Sequence, residues 1–389
     1  MKIEVHNSCS DFDSYRAARV KSLFNAETGA NFDLLADLPV DDKEWSIGLV
    51  VGPSGSGKTS IGRTIWGGDA LADFGAGWPH DKPIIDAISP DGDFDAVTSA
   101  LAAVGLGSVP TWLRPYPVIS NGEQFRANLA RVICEAPERV VIDEFTSVVD
   151  RQIAQVGASA FAKAWRRAAA KDSKQCVLLS CHYDIIDWLE PDWVFDTGTG
   201  KYSGRSLWRR PHIELEIWRT NWSFWKMFEP HHYLKANNMI AAECYVGTVN
   251  GVPVAHCGIS PRPGVKEWRM ARIVVMPEWQ GVGIGTRFIT AICERSIRGE
   301  GRYNRPMPTL INTSHPGLCS YFRRNKNWVQ ISSQLHGVNK GNSRGTIDLS
   351  KRNNGTEMAS VGYGGHFRAI QGFRYLGEYS PRHKSGDEQ

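Results

Sequence analysis

The chain has 389 residues, of which 42% are hydrophobic and 22% charged, a composition typical of a globular protein and a length sufficient for two domains. It holds no run of about 18 apolar residues, and its first ten residues are polar, so we expect neither a membrane span nor a signal peptide. The eight cysteines form no CxxC pair, which favours reduced thiols in a cytoplasmic protein.

Charge is distributed unevenly along the chain. Residues 1–200 contain 18 Lys and Arg against 28 Asp and Glu, whereas residues 201–389 contain 27 against 13. An acidic half joined to a basic half predicts that the second half binds a polyanion, with nucleic acid as the expected partner. The alternative is that the two halves are domains that attract each other.

The first 39 residues predict a strand over residues 2–5 and then a helix that Asp11 or Ser14 caps. Four residues would form the apolar stripe of that helix: Tyr15, Val20, Leu23 and Phe24. From Trp45 onward the pattern becomes α/β. It predicts buried strands at 47–51, 140–142 and 176–179 and helices at 122–135 and 152–170. The Gly-, Ser- and Arg-rich stretch 197–211 predicts a domain boundary at about residue 205.

A glycine-rich turn directly follows the predicted strand at 47–51. Its sequence, GPSGSGKTS over residues 52–60, fits the pattern GxxxxGK[ST], in which backbone N–H groups and a helix N-terminus hold phosphates. Lys58 is predicted to reach the β- and γ-phosphates, and Thr59 to ligate Mg²⁺. The predicted ATP-binding residues of this turn are Gly52, Ser54, Gly55, Gly57, Lys58, Thr59 and Ser60.

Three further motifs follow this turn in the order that an ATPase requires. The segment ISNGEQ at 119–124 begins a predicted helix, and the apolar run at 139–142 ends in Asp143 and Glu144. Asp143 would hold Mg²⁺ through water, and Glu144 would polarise the attacking water. His182 follows the strand at 176–179. Taken alone, Ser120 is typical of a helix cap and His182 of a structural histidine, and both alternatives stay open.

Together these motifs resemble those of ABC ATPases over residues 40–205. The segment at 119–123 resembles the LSGGQ signature, with Asn121 and Glu123 as departures, and 147–150 resembles the D-loop. The resemblance implies ATP and Mg²⁺ as cofactors, catalytic roles for Glu144 and His182, and a nucleotide sandwiched between two cassettes in a homodimer or with a partner ATPase. It also implies ATP contacts from three residues: Ser120, Gly122 and Glu123.

One departure concerns the Q-loop. No glutamine precedes Gln124, so the usual Q-loop residue is absent and its coupling role is in doubt. Soluble ABC proteins that act on DNA or ribosomes are a better comparison than transporters, because the chain has no membrane span and only a short segment before the signature.

The second half has a different pattern. Residues 241–249 and 252–259 predict a hairpin across Asn250 and Gly251, a pair that favours a type I′ turn. A strand at 272–275 and a helix at 283–298 follow. Residues 336–389 predict loops with weak strands, or a partly ordered basic tail.

A second glycine-rich turn, QGVGIGT at 280–286, follows the strand at 272–275 and opens a helix. Spaced glycines let N–H groups point into one cavity, and a helix N-terminus there favours a pyrophosphate. The turn resembles motif A of the GNAT superfamily; a Rossmann site is disfavoured because the turn follows a hairpin and does not open a βαβ repeat. The resemblance implies that acetyl-CoA or another acyl-CoA binds Val275, Gln280, Gly281, Gly283, Gly285 and Thr286.

Downstream, residues 310–328 resemble the GNAT C-terminal motif, in which a helical tyrosine protonates the departing thiolate. Tyr321 is the best match for that catalytic acid, and a core tyrosine is the alternative. Five residues are candidates for the base: Glu243, His231, His232, His256 and His315. The cluster FEPHHYL at 228–234 resembles Mom-type phage DNA-modifying proteins, which are GNAT-like and act on adenine.

Basic and aromatic residues alternate in the second half, an arrangement that can stack an extruded base beside its phosphate. The clusters are Trp208–Arg210, Trp218–Arg219, Trp222, Trp225–Lys226, Tyr321–Arg324 and Phe367–Arg368. For any one cluster, tryptophans in the core and arginines in solvent are the favoured alternative. The ensemble, on a basic half, favours binding to nucleic acid.

The sequence therefore predicts an α/β protein with a P-loop ABC-type ATPase domain at 1–205, including an N-terminal extension at 1–39. An α+β GNAT-like domain with a central mixed sheet follows at 206–335, and a basic extension at 336–389. The predicted function is ATP hydrolysis coupled to CoA-dependent N-acylation, with an exocyclic base amine of nucleic acid as acceptor. The alternatives are an ATP-gated nucleic-acid-binding regulator with a non-catalytic GNAT-like fold, and an acyltransferase acting on a protein or small amine.

Overall fold

A computed structural model of the protein describes residues 1–8, 14–24, 31–38, 40–41, 45–204, 212–232, 239, 242–262, 264–334 and 369–377. The chain divides into two compact units. Unit 1 comprises Met1–His80 and Ser120–Pro211, and unit 2 comprises Asp81–Ile119 and His212–Gln389. The segment that separates the first glycine-rich turn from Ser120 is therefore part of the same compact unit as the second half of the chain.

The strands in chain order are β1 (Lys2–Ser8), β2 (Asn31–Asp37), β3 (Ile47–Val51), β4 (Leu71–Ala72), β5 (Arg139–Ile142), β6 (Gln175–Ser180), β7 (Trp193–Asp196), β8 (Lys201–Ser203), β9 (Glu216–Thr220), β10 (Glu243–Val249), β11 (Val252–Pro261), β12 (Trp268–Val275), β13 (Thr309–Thr313), β14 (Trp328–Gln334) and β15 (Ile370–Tyr375). The helices are α1 (Tyr15–Phe24), α2 (Lys58–Ile65), α3 (Ile84–Ala87), α4 (Phe94–Ala103), α5 (Val109–Trp112), α6 (Asn121–Glu135), α7 (Arg151–Asp172), α8 (Ile186–Leu189), α9 (Trp225–Phe228), α10 (Ile284–Ile297) and α11 (Pro316–Arg324).

Unit 1 is built on a six-stranded sheet with the strand order β4-β5-β6-β3-β7-β8. Its strands are parallel except for β8, which pairs antiparallel with β7. Every residue of β3 and β6 is buried, as expected for apolar strands that are covered on both faces. Since β3, β5 and β6 are parallel, their carboxyl ends meet at one edge, and the segments that follow them are brought together there. The predicted strands and helices of this half are confirmed.

The N-terminal helix α1 is confirmed, but its predicted apolar stripe is wrong at Tyr15 and Leu23. The Ser14 hydroxyl accepts a hydrogen bond from the Ala17 N–H at 3.2 Å, which identifies Ser14 as a cap, while Asp11 lies outside the described residues. Tyr15 is 79% exposed and Leu23 is 68% exposed, so neither side chain packs into the core. The side chains of Val20 and Phe24 lie outside the described part of the chain.

Unit 2 contains a seven-stranded mixed sheet with the order β14-β15-β13-β12-β11-β10-β9. The predicted hairpin is confirmed: Asn250 and Gly251 have φ angles of 51° and 77°, the two positive values that a type I′ turn requires. Among the described strands of this sheet, β12 and β13 form the parallel pair, which extends only over Trp268–Met270 of β12. From Ala271 to Val275 the two strands are no longer paired.

Two parts of unit 2 go beyond the sequence predictions, which allowed only weak strands in residues 336–389. Strand β15 pairs with both β13 and β14 and buries Phe373 and Tyr375, so the sheet extends beyond residue 335, where the sequence placed the end of this domain. Its run IQGFRY is short and contains a glycine, which weakens the strand signal. Helices α3, α4 and α5 lie in the segment Asp81–Ile119, to which the sequence assigned no element.

Within the described ranges, no helix is long and apolar enough to cross a membrane. The same ranges hold no group of three or more His, Cys, Asp or Glu residues that could bind a metal ion. The seven cysteines in this part of the chain are free thiols, and burial raises the pKa of Cys176 and Cys257 well above the usual value. Cys9 lies outside the described residues.

Candidate functional site

The first glycine-rich turn leaves β3 and enters α2. Gly55 and Gly57 have φ angles of 78° and 84°, values that favour glycine, and Gly57 begins α2 without a side-chain cap. The first N–H groups of α2 are therefore not covered by a capping side chain. The Lys58 ammonium donates to the carbonyls of Gly52 at 2.9 Å and Pro53 at 2.7 Å, so it lies over the turn. This geometry is suited to binding the phosphates of a nucleotide.

Thr59 and Asp143 meet at the carboxyl ends of β3 and β5. The Thr59 hydroxyl donates to Asp143 Oδ2 at 2.7 Å, and Asp143 Oδ1 accepts from the Glu144 N–H at 2.8 Å. A hydroxyl and a carboxylate supply the hard oxygen donors that Mg²⁺ prefers. These two predicted residues are thus brought together and fit the ion chemically.

Glu144 has a positive φ of 49°, an uncommon conformation for a residue with a side chain. Its side chain is exposed at the end of β5, and the Ser147 hydroxyl donates to its carbonyl and lies 3.4 Å from its Oε2. Strained backbone of this kind is concentrated at functional sites. The carboxylate is therefore accessible to a water molecule that it could polarise.

His182 lies just beyond β6 and is partly buried. Its Nδ1 lies 3.3 Å from the Thr146 hydroxyl, and its backbone N–H donates to the Ser180 hydroxyl at 3.1 Å. Burial, together with the nearby charge of Arg151, lowers the pKa of His182 below its usual value. A neutral imidazole held in one orientation can donate a hydrogen bond to a phosphate oxygen.

Ser120 and Glu123 satisfy each other at the start of α6. The Glu123 carboxylate accepts from the Ser120 N–H at 2.9 Å and from its hydroxyl at 2.8 Å, while Ser120 Oγ accepts from the Glu123 N–H at 3.4 Å. This is a capping box, so the helix-cap alternative is confirmed. Gly122 packs closely against α7, because a Cβ there would lie 3.0 Å from Ile153 Cδ1. Contacts from these three residues to ATP stay a prediction.

The second glycine-rich turn leads from β12 into α10. Gly281 and Gly283 have φ angles of 94° and 84°, and Gly283 begins α10 without a side-chain cap. A Cβ on Gly285 would lie 3.1 Å from Val275 Cγ2, so a larger residue would crowd the strand. The Thr286 hydroxyl donates to the Gly283 carbonyl at 3.0 Å. The turn therefore presents an uncapped helix N-terminus, suited to a pyrophosphate, beside the unpaired edge of β12.

The Gln280 side chain bonds to the backbone of its own unit. Its Nε2 donates to the Val275 carbonyl at 2.9 Å, and its Oε1 accepts from the Gly107 N–H at 3.0 Å. The sequence predicted Gln280 and Val275 as CoA-binding residues, and the structure places them in direct contact. It also adds Gly107, which no sequence pattern indicated.

Tyr321 lies on α11, partly buried. Its hydroxyl accepts from Asn325 Nδ2 at 2.9 Å and lies 3.4 Å from the Thr290 hydroxyl on α10. An amide that donates to the phenol oxygen would stabilise the phenolate left after proton donation. Tyr321 can therefore act as an acid, although its catalytic role stays a prediction. Asn325 was missed, yet its spacing four residues after Tyr321 places it on the same helix face.

Glu243 and His315, two of the five candidate bases, are held by hydrogen bonds. The Glu243 carboxylate is 2% exposed, accepts from the Arg302 N–H at 2.7 Å and from the Tyr245 hydroxyl at 3.2 Å, and lies 3.5 Å from Arg219. His315 caps α11, its Nδ1 accepting from the Leu318 N–H at 3.4 Å while its Nε2 lies 3.2 Å from the Gly107 carbonyl. That arrangement requires the proton on Nε2.

His256 differs from the other candidates because it is fully buried among aromatic rings. The centroids of Trp222, Trp225 and Phe228 lie 5.9, 5.4 and 5.5 Å from its ring. Neither ring nitrogen has a hydrogen bond of good geometry. Burial lowers the pKa of His256 to about 4, with the Arg272 backbone as a weaker opposing influence. By contrast, His231 is exposed and His232 half-buried.

The aromatic residues of the described clusters differ in exposure. Trp225 is 5% exposed and Phe322 is fully buried, so both belong to the core, whereas Trp218 is 57% exposed. Arg323 and Arg324 are exposed on the last turn of α11. The clusters at 208–210 and 367–368 lie outside the described residues.

Comparison with known proteins gives two different results for the two halves. A family model described as the acetyltransferase (GNAT) family matches residues 210–305. The cytochrome c biogenesis ATP-binding export protein of Rhodospirillum rubrum is 30% identical over 170 residues, which are 35% of this chain and 68% of that protein. The zinc import ATP-binding protein of Pseudomonas syringae is 30% identical over 145 residues, 32% of this chain and 54% of that protein.

The Fe(3+) ions import ATP-binding protein of Pectobacterium atrosepticum is 28% identical over 165 residues, 34% of this chain and 46% of that protein. The chain thus spans about two thirds of the first relative and about half of the other two. A dimeric ATP-binding cassette in a post-hydrolysis state with ADP and Pi has a TM-score of 0.36 and 11% identity, covering 53% of this chain and 99% of that chain. A bacterial Atm1-family ABC exporter with ATP bound has a TM-score of 0.31 and 15% identity, covering 53% of this chain and 39% of that chain. These TM-scores are too low to carry an argument.

Proposed function

Since the chain belongs to the ATP-binding cassette family and carries a GNAT acetyltransferase domain, we propose that it couples ATP hydrolysis to the transfer of an acyl group from acyl-CoA to an amine of a nucleic acid. The observation that carries this proposal is the presence of two uncapped helix N-termini, each opened by a left-handed glycine. They are Gly57 before α2 and Gly283 before α10. Each is suited to a phosphate group, and each is surrounded by different side chains.

The first site supports hydrolysis of ATP. Lys58 lies over the turn where the phosphates would bind, and Thr59 and Asp143 would hold Mg²⁺, which neutralises phosphate charge when bound. Glu144 would accept a proton from the attacking water, and neutral His182 would donate to a phosphate oxygen. The chain has one P-loop and one signature-like segment, so we propose that two copies, or one copy and a partner ATPase, complete the site.

The second site supports acyl transfer. The turn from Gln280 to Thr286 would bind the pyrophosphate of acyl-CoA, and the unpaired edge of β12 would bind its extended arm. The acceptor amine attacks the thioester carbonyl, an amide C–N bond forms, and the C–S bond breaks. Tyr321 gives its proton to the departing thiolate and is reprotonated from solvent, while the proton that the amine loses passes to a base.

The acceptor is proposed to be anionic because exposed cations follow Tyr321. Arg323, Arg324 and Lys326 are exposed, and within the described ranges none of them forms an ion pair with a carboxylate. Exposed positive charge beside the acid favours a phosphate-bearing acceptor. With 27 basic against 13 acidic residues in residues 201–389, an exocyclic base amine in nucleic acid is the acceptor we propose.

The double substitution of Gln280→Ala and Gly283→Asp tests the acyl-transfer site. It removes the Val275 contact and places a negative charge where the pyrophosphate would bind. We expect transfer of label from acetyl-CoA to be lost and ATP hydrolysis to be unchanged. Gly264→Asp is the matched control, because Gly264 also has a positive φ, 75°, with open space around it. Retained transfer in the double variant would reject the site assignment.

The acceptor class is tested by mass spectrometry of nucleosides from cells with and without the intact gene, together with oligonucleotide binding at several salt concentrations. A modified base and an affinity that falls steeply with salt would support nucleic acid. A flat salt dependence would favour a protein or small-amine acceptor. Absence of any acetyl-CoA binding would favour an ATP-gated regulator with a non-catalytic GNAT-like domain.

A further inference from the structure

The segment Asp81–Ile119 leaves the cassette after the first glycine-rich turn and returns to it at Ser120, yet it belongs to unit 2. Within that unit its helix α4 packs closely on α11. A Cβ on Gly317 of α11 would lie 3.1 Å from the Cβ of Ala102 on α4. Because Tyr321 is on the same short helix as Gly317, this contact ties the segment to the helix of the proposed acid.

The end of α4 is held in a defined conformation. Gly105 has a φ of 85°, its N–H donates to the Ala102 carbonyl at 3.2 Å, and the Leu106 N–H donates to the Leu101 carbonyl at 2.9 Å. These two bonds form a Schellman motif, which stops the helix and fixes the direction of the next residues. The indole N–H of Trp112 donates to the Leu106 carbonyl at 2.7 Å. Gly107 therefore follows a rigid turn.

Both backbone groups of Gly107 have partners, Gln280 of the proposed acyl-CoA turn and His315, the cap of α11. Its N–H donates to Gln280 Oε1 at 3.0 Å, and its carbonyl lies 3.2 Å from His315 Nε2. Gln280 Nε2 in turn donates to the Val275 carbonyl at 2.9 Å, at the unpaired edge of β12. A continuous set of hydrogen bonds thus joins Gly107 to the strand that would bind acyl-CoA and to the cap of α11.

We propose that Gly107 is a positioning residue of the acyl-CoA site, through which the nucleotide state of the cassette sets the affinity for acyl-CoA. This inference rests on the proposed function. The segment that carries Gly107 is joined covalently at both ends to unit 1, and Ser120, a proposed contact to ATP, directly follows it. When ATP binds, a shift in the position of Ser120 moves the segment, and the moved segment alters the orientation of Gln280 and His315. By linkage, acyl-CoA changes the affinity for ATP by the same factor.

The test is calorimetric titration of the full-length protein with acetyl-CoA, with and without a saturating non-hydrolysable ATP analogue and Mg²⁺. We expect the two acetyl-CoA dissociation constants to differ by about 5-fold or more, the lower range of allosteric coupling. Gly107→Ala should bring this ratio close to one and leave basal ATP hydrolysis unchanged, because its Cβ would lie 2.7 Å from Gln280 Oε1 and displace it. Gly68→Ala is the matched control, since a Cβ there meets nothing within 4 Å, and it should keep the ratio.

A second variant keeps the inference testable if Gly107→Ala does not fold. His315→Asn retains a side chain that can cap α11 but is too short to reach the Gly107 carbonyl, so it should also bring the ratio close to one. Acetyl-CoA binding with no dependence on the nucleotide, or a dependence that survives in the folded variants, would overturn this inference alone. No acetyl-CoA binding by the wild-type protein in either state would overturn the proposed function and this inference with it.

Discussion

The two glycine-rich turns of this protein have nearly the same backbone and very different side chains. Gly57 has φ and ψ of 84° and 10°, and Gly283 has 84° and 8°, and both begin a helix without a side-chain cap. The first turn adds Lys58 and Thr59, whose hydroxyl bonds to Asp143. The second is followed by apolar Ile284 and by Gly285. A backbone cradle can hold a phosphate, and the charged groups and metal ligands of the first turn suit it to breaking a phosphate bond as well.

The largest effect should come from removing the carboxylate beside the first turn. Glu144→Gln keeps the size of the side chain but cannot accept a proton from water, so we expect ATP turnover to fall about 10³-fold. Nucleotide binding should persist because Lys58 and Thr59 are unchanged. Phosphate release and equilibrium binding of a fluorescent ATP analogue measure the two effects separately.

Glu138→Gln is the matched control for this variant, since Glu138 is an exposed carboxylate just before β5. It should hydrolyse ATP at the wild-type rate. If Glu144→Gln also kept that rate, Glu144 would not be the residue that activates water, and the division between a reactive turn and a binding turn would be lost.

The second prediction concerns the pH dependence of stability and compares one histidine from each half of the chain. His182 has a hydroxyl partner, whereas buried His256 has none, and burial lowers the pKa of His256 to about 4 from 6.5. Between these values the unfolded state binds the proton and the folded state does not. The contribution of His256 to the free energy of unfolding is therefore fully present above pH 6.5. It falls as the pH drops toward 4, by up to about 3 kcal/mol at 1.36 kcal/mol per pKa unit.

Urea denaturation of the wild-type protein and of His256→Phe between pH 7.5 and pH 4.5 tests this prediction. The variant has no group to titrate there, so its stability should depend less on pH than that of the wild type. His231→Phe, at an exposed histidine, should behave as the wild type. Equal pH dependence in the wild type and His256→Phe would mean that His256 is solvated or paired.

The same comparison explains which features could be predicted from the sequence. Each turn, its strand and its helix are contiguous, so glycine spacing and apolar periodicity were enough to identify them. Asp143 and His182 were placed correctly because parallel strands bring their ends to one edge. Gly107 and Gln280, in contrast, are 173 residues apart and meet through one hydrogen bond from a backbone N–H to a side-chain oxygen, which leaves no local pattern. For strand β15 the sequence predicted only weak strands or a basic tail within 336–389, and its pairing with β13 and β14 could not be predicted because a long stretch of chain separates it from both partners.

The third effect concerns the proposed acid of the second site. Tyr321→Phe removes the hydroxyl that bonds to Asn325 and leaves the ring in place, so we expect acyl transfer to slow about 10- to 100-fold. The loss should be in kcat, with little change in the KM for acyl-CoA. A loss of the same size for Asn325→Ala would indicate that the pair acts together. An unchanged kcat would show that Tyr321 is a core residue and that the second turn serves binding without this acid.

The smallest effect is expected from substituting one left-handed glycine in each turn. Gly55 and Gly283 both have positive φ angles, 78° and 84°, with no atom closer than 3.8 Å to an added Cβ. Alanine at either position meets only the cost of a left-handed conformation, so each variant should lose about 1 to 2 kcal/mol of stability in urea denaturation without ligand. Ligand binding should then separate them, because Gly55→Ala should weaken ATP binding and Gly283→Ala acetyl-CoA binding. Similar stability losses with separate binding losses are expected if each turn uses a left-handed glycine to bind its own phosphate ligand.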